Sequence, residues 1–422
     1  MRRDDGGQAI VLVAITILGM LMAVGLAIDS GQLYNGRRTA QEAADAAAFA
    51  GATVLYQKGC PWSTCTSASV TVATAAAASD AELNGFCQAT SGLCASDTPA
   101  SGTTVTITSP ITSTSYGDPS LCVQVVISTP VKTTLVPQAQ ALTTVRATAI
   151  ACAAAFNASY AMMSTDSGCD SKALVEQSQG TLTIDNGNLQ IDSCSTSAGY
   201  AQGKVRLDSG YSAYIVGGAS PWPDVSPGTT VTNTGNVQAD PFAGTPPPPM
   251  ALLTPQSCGG PALQPGIYDC RVGNGTYTMA PGTYVFEGHN NGITFAGGSS
   301  LTGTGVLIYL TTPDTDADCA AFSMSGNSSV DLTGPISGPY KGLLMYQDPR
   351  CTGTIQVGGN GAIGSLSGSI YAPAGTVAAN GNPSSFTMTQ VIAFQESVQN
   401  GNFTIDYSSG AAYVGYLPAL MR

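Results

Sequence analysis

The chain has one run of residues with a spacing suited to a metal ion. It consists of three aspartates at alternate positions, Asp314, Asp316 and Asp318. Carboxylates arranged in this way on a loop can converge on Ca²⁺, which takes about 6–8 oxygen ligands. An EF-hand loop would need Gly and Glu at its sixth and twelfth positions, where this chain has Cys319 and Ser325. The aspartates are therefore a weak calcium candidate, and we favour a solvated acidic turn beside a disulfide at Cys319.

Catalytic chemistry has few candidate residues. His289 is the only histidine, it lies in a Gly-Asn-rich stretch typical of a surface turn, and the sequence has no G-x-S-x-G motif for a Ser–His–Asp triad. The glycines of 359–364 match G-x-G-x-x-G, but no helix follows them to bind a phosphate. Glu287 and Asp331 show no pattern of paired carboxylates. We therefore expect no catalytic residue, no cofactor and no small-molecule substrate.

Four aromatic residues, Trp222, Tyr211, Tyr214 and Tyr340, offer a different kind of site. Exposed together, they could form a sugar-binding or adhesive patch. Packing in a core or at a corner is the more common use of aromatic side chains. Both interpretations stay open on the sequence.

Cysteine chemistry indicates the compartment. All twelve cysteines follow the first 59 residues, and the chain has one histidine and no C-x-x-C pair, which disfavours zinc. Six disulfides in an oxidising compartment fit better. Because short loops close most readily, we expect neighbours to pair. The expected pairs are Cys60–Cys65, Cys87–Cys94, Cys122–Cys152, Cys169–Cys194, Cys258–Cys270 and Cys319–Cys351.

An uncharged apolar run near the N-terminus predicts a transmembrane helix over about residues 8–28. A secretory signal peptide is the alternative, but its apolar region is shorter, about 7–15 residues, and a loop rather than a helix would follow it. The arginines on the two sides of the run give little orientation signal. The cysteines lie after the span, so we expect the N-terminus in the cytoplasm and the body outside the membrane.

The composition disfavours nucleic acid as a partner. Charged residues make up 9% of the 422 residues, the net charge is −12, and glycine occurs 50 times. Such an acidic chain repels nucleic acid. Low charge with many Gly, Ser, Thr and Val residues favours β-structure, and the length allows two domains after the span.

The element pattern divides the chain into three parts. Residues 1–57 predict one long helix, and 58–158 a small antiparallel sheet with strands at 103–108, 121–129 and 143–151. A long helix on such a sheet is the α+β plan of a pilin. From 159 to 422, short strands recur between Gly, Asn, Ser and Pro, which predicts an all-β domain.

The all-β domain has two possible architectures. Strands that repeat roughly, with Gly and Asn between them, predict a β-solenoid, or parallel β-helix. The irregular repeat leaves a β-sandwich as the alternative. The Pro-rich segment 240–255 predicts a stiff crossing over the outside of the solenoid, with a domain boundary there as the second interpretation.

The N-terminal motifs resemble a known family. Gly7-Gln8-Ala9-Ile10, Asp29, Arg37-Arg38 and the alanine-rich 41–52 look like the start of Flp (Tad) pilus-assembly proteins of the TadE/TadG type. The later Leu-x-Pro-Gly-x-Tyr turn at 263–268, and its variant at 280–284, are similar to the C-terminal part of TadG-related proteins. The resemblance implies an envelope-anchored protein that works with other Tad components. It implies no reaction.

One position departs from that family. Prepilins cut by the dedicated peptidase carry Glu at the fifth mature position, which here would be Leu12. We therefore expect an uncleaved anchor.

Three functions follow as hypotheses. The first is a non-enzymatic, membrane-anchored extracytoplasmic protein of the Flp/Tad pilus system, with the β-domain as spacer or display surface. The second is an adhesin that binds a glycan or a protein. The third, disfavoured by the lack of a catalytic pattern, is a β-helix enzyme that acts on polysaccharide.

Overall fold

The computed structural model describes residues 6–87, 102–113, 115–133, 143–156, 159–169, 172–177, 180–313, 319–360, 362–381 and 385–421. The chain forms two compact units. The first contains residues 1–155 and 416–422, and the second contains residues 156–415.

The long helix α1, Gly6–Gln57, changes character along its length. From Ile10 to Ile28 its large apolar side chains are exposed, whereas Ala40, Ala44 and Ala47 are fully buried. Small side chains allow close packing of this second half on α2, Ser67–Leu83, and on the small sheet. A Cβ on Gly51 would lie 3.0 Å from Val123 of that sheet, so glycine sets the distance between helix and sheet.

The small sheet has four strands in the order β1, β2, β3, β27. Their bounds are Thr104–Thr108, Cys122–Pro130, Thr144–Phe156 and Gly415–Met421. The pairs β1–β2 and β2–β3 are antiparallel. Alternate residues Val123, Val125 and Ile127 are buried against the helices, the alternation expected of a half-buried strand. The three N-terminal strands match the expected ones closely.

The last strand corrects one boundary. The sequence pattern assigned all of 159–422 to the second domain, but β27 belongs to the small sheet of the first unit. A local pattern shows that a segment is a strand and not which strand it pairs with, because the partner is distant along the chain.

The second unit is a large all-β region with a parallel sheet. Its first strands β4–β11 are Tyr160–Ser164, Leu174–Glu176, Thr181–Asp185, Asn188–Ile191, Gly199–Ala201, Lys204–Leu207, Ser212–Ile215 and Thr229–Val231. Strands β12–β19 are Ala262–Leu263, Gly266–Tyr268, Arg271–Val272, Thr276–Met279, Gly282–Glu287, Gly292–Ala296, Ser300–Thr304 and Val306–Thr311. Strands β20–β26 are Ala321–Ser325, Ser329–Thr333, Leu343–Gln347, Thr354–Val357, Ile363–Asn380, Ser385–Gln399 and Phe403–Asp406.

Strands three apart in the chain pair in parallel. Thus β12 pairs with β15, β15 with β18 and β18 with β21, while β13, β16, β19 and β22 form a second series. A third series consists of β14, β17, β20 and β23. The long strand β24 pairs with the last strand of each series, and β25 pairs along β24. The order then departs from the chain order, because β25 pairs with β4 and β5, and β26 pairs with β6. The first and last strands of the region are therefore neighbours.

The middle strands are buried on two faces. In β19, Val306, Ile308 and Leu310 face the main apolar core, whereas Leu307 and Tyr309 face a second cluster. All six residues of this strand are buried. A strand that is covered on two sides has a nearly continuous run of apolar residues, and β19 has such a run. A separate segment of chain, which contributes Phe242, Met250 and Leu253, packs on this second cluster.

Candidate functional site

One row of positions runs through the middle strands on the face away from the main core. Parallel register aligns one residue from each strand with its neighbour in the next. In order, this outward row is Ile267, Val285, Tyr309, Tyr346, Tyr371, Ile392, Met163, Gln190 and Tyr214. Register alone therefore brings together residues that lie up to 229 positions apart in the chain.

The Pro-rich segment 240–255, hereafter the strap, contacts much of the outward row. The Phe242 ring lies edge-on to Tyr371 at 5.4 Å and to Tyr413 at 4.9 Å. Farther along, Met250 and Leu253 pack against the same cluster. Prolines suit this segment because an extended chain that packs through side chains needs few backbone N–H donors.

Tyrosine hydroxyls hold the strap by hydrogen bonds. Tyr371 donates to Asp240 Oδ2 at 2.6 Å, and Tyr346 donates to the carbonyl of Thr245 at 2.8 Å. Tyr340 donates to the carbonyl of Pro247 at 3.1 Å. Burial raises the pKa of each of these three phenols well above its ordinary value, so they remain neutral donors. Thr245 is buried, so the Tyr346 hydroxyl gives a partner to a strap carbonyl in a buried residue.

A charged network contacts Tyr309, the neighbour of Tyr346 in the outward row. Asp348 accepts hydrogen bonds from Tyr309 at 2.8 Å, from Thr311 at 2.7 Å and from Arg350 Nη2 at 2.7 Å. Burial alone would raise the pKa of Asp348, but these hydrogen bonds outweigh burial and hold it well below the ordinary value. A buried carboxylate with this many donors fixes local geometry. Asp348 therefore has a structural role in this region.

The structure describes only some of the residues considered as candidates for chemistry. Asp314, Asp316 and Asp318 fall outside the described residues. His289 is exposed in a turn, and Asp331 is exposed on β21. Burial, and then Asp269, raise the pKa of Glu287 at the end of β16. Within the described part of the chain, no group of three or more His, Cys, Asp and Glu side chains could hold a metal ion.

The glycines of 359–364 have a packing reason. A Cβ on Gly359 would lie 2.4 Å from the carbonyl oxygen of Gly326, and one on Gly364 would lie 2.4 Å from that of Val330. Neighbouring turns of chain approach so closely there that only glycine fits. This explains two glycines of the G-x-G-x-x-G pattern without a phosphate, and the third, Gly361, lies outside the described residues.

The four aromatic candidates do not form one patch. Tyr340 is buried beneath the strap. Tyr211 and Trp222 pack partly against the main core, and the Trp222 indole donates to Thr230 Oγ1 at 3.2 Å. Only Tyr214 lies on the outward row, half-buried, at the end that the strap does not cover.

Five disulfides are described, and each joins a cysteine to the next cysteine along the chain. They are Cys60–Cys65, Cys122–Cys152, Cys169–Cys194, Cys258–Cys270 and Cys319–Cys351. Cys94 lies outside the described residues, so the expected Cys87–Cys94 pair is not described. Cys122 and Cys152 are register partners of β2 and β3. Disulfides of this kind are consistent with a body outside the cytoplasm.

Two buried acids were not predicted from the sequence. Asp192 is 1% exposed, and its Oδ1 accepts from Gln190 Nε2 at 2.6 Å and from the backbone N–H of Gln238 at 3.2 Å. Glu396 is 1% exposed, and within the described residues neither carboxyl oxygen has a hydrogen-bond partner. Burial, and then Asp192, raise the pKa of Glu396 well above its ordinary value. The sequence did contain a signal for the burial of Glu396. In β25 it lies two residues before Val398, a core residue, and alternate residues of a strand face the same side.

The exposed apolar half of α1 is the remaining functional element. It qualifies as a candidate membrane span, with a mean hydropathy of 2.7 over its most apolar stretch. Comparison with curated proteins and with solved structures gave no match. Residues 7–54 match the Tad family model, described as Flp pilus-assembly TadE/G-like. The long helix of this chain therefore carries a TadE/G-like Flp pilus-assembly region, and its apolar half fits a membrane-anchored protein of the Tad system.

Proposed function

We propose that this chain is a non-enzymatic, membrane-anchored protein of the Flp/Tad pilus assembly system whose body lies outside the cytoplasm. One observation carries the proposal. The residues that match the family model are the same helix whose first half exposes an uninterrupted apolar surface and whose second half packs on the small sheet. The membrane and other Tad pilus-assembly components would be its partners.

The disulfides support the orientation. They lie in both units, from Cys60 onward, and all follow the candidate span. Bonded cysteines persist in oxidising compartments and are rare in the cytoplasm. We therefore place the N-terminus in the cytoplasm and the body on the other side.

For the β-region we propose a β-solenoid that acts as spacer or display surface. Parallel pairing of each strand with the third one along supports three strands per coil. Each coil would bury its apolar side chains on the next coil. The strap would tie coils together along one face. The apolar side chains clustered inside the β-region support this role.

Membrane fractionation tests the anchor. The wild-type chain should stay in the membrane after a carbonate wash. Replacing Leu18 and Leu21 by Arg should release it, since each charge costs about 2.5–3.5 kcal/mol at the centre of a span. The matched control replaces the same leucines by isoleucine and should stay bound. Wild-type protein in the soluble fraction would contradict the anchor.

Immunogold labelling tests the system and the side. We expect label outside the cytoplasmic membrane, on the cell envelope or the pilus, and loss of assembled Flp pili when the gene is deleted. Label confined to the cytoplasm, or normal pili in the deletion strain, would overturn the proposal. N-terminal sequencing of the native protein should begin at or near Met1, whereas a start at Gln8 or after Ala27 would show that the anchor is processed.

A further inference from the structure

The outward row ends in an open groove. Tyr160, Gln190, Tyr214 and Val231, which lie on strands of the sheet, form its floor, and Thr234, Asn236 and Gln238, which precede the strap, form its wall. The cavity has a volume of about 400 Å³. That lies within the range of small-molecule sites, about 300–1,000 Å³. The groove occupies the same face that the strap covers farther along, so it is the part of that face still open to a ligand.

A buried carboxyl holds floor and wall together. Asp192 Oδ1 accepts from the floor through Gln190 Nε2 at 2.6 Å and from the wall through the backbone N–H of Gln238 at 3.2 Å. Asp192 is 1% exposed, so it acts from behind the groove surface. Two hydrogen bonds to one carboxyl oxygen fix the spacing of the two sides. A groove held in this way is largely formed before a ligand arrives, which lowers the cost of binding.

The chemistry of the lining selects a ligand class. Two half-buried phenol rings provide apolar faces, and the amides of exposed Asn236 and half-buried Gln238 provide donors and acceptors. The third amide, Gln190, is 2% exposed and pairs with Asp192. None of the seven lining residues carries a charge at neutral pH. Burial, and then Asp192 and Tyr214, raise the pKa of Tyr160, so its phenol remains neutral. An anionic ligand finds no cation in the lining, and a purely apolar ligand would leave the amides unpaired.

We propose that this groove binds a short neutral oligosaccharide. Sugar rings present apolar C–H faces that pack on aromatic rings and hydroxyl groups that pair with amides. The groove offers these two features together. Tyr214 would be the stacking residue and the exposed Asn236 the hydrogen-bonding residue, with the buried pair Gln190 and Asp192 as positioning residues. This inference goes beyond the anchoring and spacing role and does not depend on pilus association.

The test uses the full chain in nanodiscs, which avoids detergents that carry a sugar headgroup. Cellotriose, laminaritriose and triacetylchitotriose serve as neutral probes, and trigalacturonic acid serves as the anionic probe. Saturation-transfer NMR and titration calorimetry give binding. We expect at least one neutral probe to bind and the anionic probe not to bind. No binding of any neutral probe at millimolar concentration, or tighter binding of trigalacturonic acid, would overturn the proposal.

Variants place the binding in the groove. Tyr214→Ala should weaken it about tenfold, since the stacking surface is lost, whereas Tyr214→Phe should retain it. Asn236→Ala, at an exposed position, should weaken binding without loss of thermal stability. Tyr200→Ala is the matched control, because Tyr200 is a half-buried tyrosine on β8 outside the groove. Equal affinity in wild type, Tyr214→Ala and Asn236→Ala would contradict the assignment.

Discussion

The outward row of the β-region has two parts that differ in what lies over them. From Ile267 to Met163 its residues belong to a buried cluster together with strap side chains, and Tyr309, Tyr346 and Tyr371 are at most 3% exposed. Beyond Met163, Gln190 is still only 2% exposed, whereas Tyr214, the last residue of the row, is half-buried and lines the open groove. Each residue of the row is the register partner of the next, although the register shifts elsewhere in three of these strand pairs. The covering segment, and not the sheet, therefore decides whether such a position becomes core or binding surface.

The comparison also explains residue choice. Under the strap, tyrosine hydroxyls find carbonyl or carboxyl partners on the strap, so large phenols can be buried without unpaired groups. At the open end, Gln190 pairs with a carboxyl behind it, and Tyr214 keeps its ring half-exposed. The same sheet thus uses aromatic residues for two purposes.

The largest expected effect concerns the opposite face of these strands. That face packs on the main core behind both parts of the outward row. Ile308→Asp would place a carboxyl at a fully buried position of the main core. Lost apolar burial and the cost of burying an acid together should exceed about 5 kcal/mol, enough to unfold the β-region. Circular dichroism melts measure the loss. Thr278→Asp, at an exposed position of β15, is the control and should melt like wild type. A cooperative native melt of Ile308→Asp would contradict the two-sided core.

Removing the main strap anchor should be the next largest effect. Phe242 is 1% exposed and contacts two tyrosine rings, so Phe242→Ala should cost about 3–5 kcal/mol. Leu252→Ala is the matched control, because Leu252 lies in the same strap with 81% of its surface exposed. Its change should stay within about 0.5 kcal/mol. Equal losses in denaturant titrations of the two variants would show that the strap is not held through Phe242.

Glu396 predicts a pH dependence. Its native pKa lies above the unfolded value of about 4.3, so the folded state holds a proton that the unfolded state releases. Its contribution to stability is therefore complete below that unfolded value and is lost as pH rises toward the native pKa, by up to about 1.4 kcal/mol per pH unit. Glu396→Gln should remove this slope and raise stability at pH 7. Unfolding titrations from pH 4 to 8 measure it. An identical slope in wild type and variant would contradict the assignment.

A smaller effect tests a single hydroxyl. Tyr346→Phe removes the donor to the buried Thr245 carbonyl and keeps the ring, so we expect a loss of about 1–3 kcal/mol. The control is Tyr214→Phe at the open end of the same row, which should change stability by less than about 0.5 kcal/mol. If both variants lose the same stability, the covered and open parts of the row do not differ as we describe.

Part of this architecture was predictable from the sequence because it depends on local pattern. The uncharged apolar run predicts the candidate span, alternation predicts strands β1–β3, and glycine-punctuated short strands predict an all-β region with parallel pairing. The expectation that the chain contains disulfides is confirmed. The resemblance to TadE/G-like proteins is confirmed over residues 7–54.

The rest depends on contacts between distant parts of the chain. Pairing of β25 with β4, and of β27 with the small sheet, leaves no trace in either local pattern. The strap was predictable as a stiff crossing segment, but its hydrogen bonds to tyrosines depend on register. For the same reason, Tyr340 and Tyr214, which look alike in sequence, differ in exposure. Asp192 became a site residue only through its contacts with Gln190 and Gln238.

Tyrosine nitration of the native full chain, mapped by mass spectrometry, tests the central claim most directly. Tyr214, half-buried at the open end, should be nitrated, whereas Tyr309, Tyr346 and Tyr371 should be protected because the strap covers them. Their pKa values are raised, by burial first, which further lowers their reactivity. Unfolding in guanidinium should make all four reactive. Nitration of the three covered tyrosines in the native chain to the same extent as Tyr214 would contradict the account.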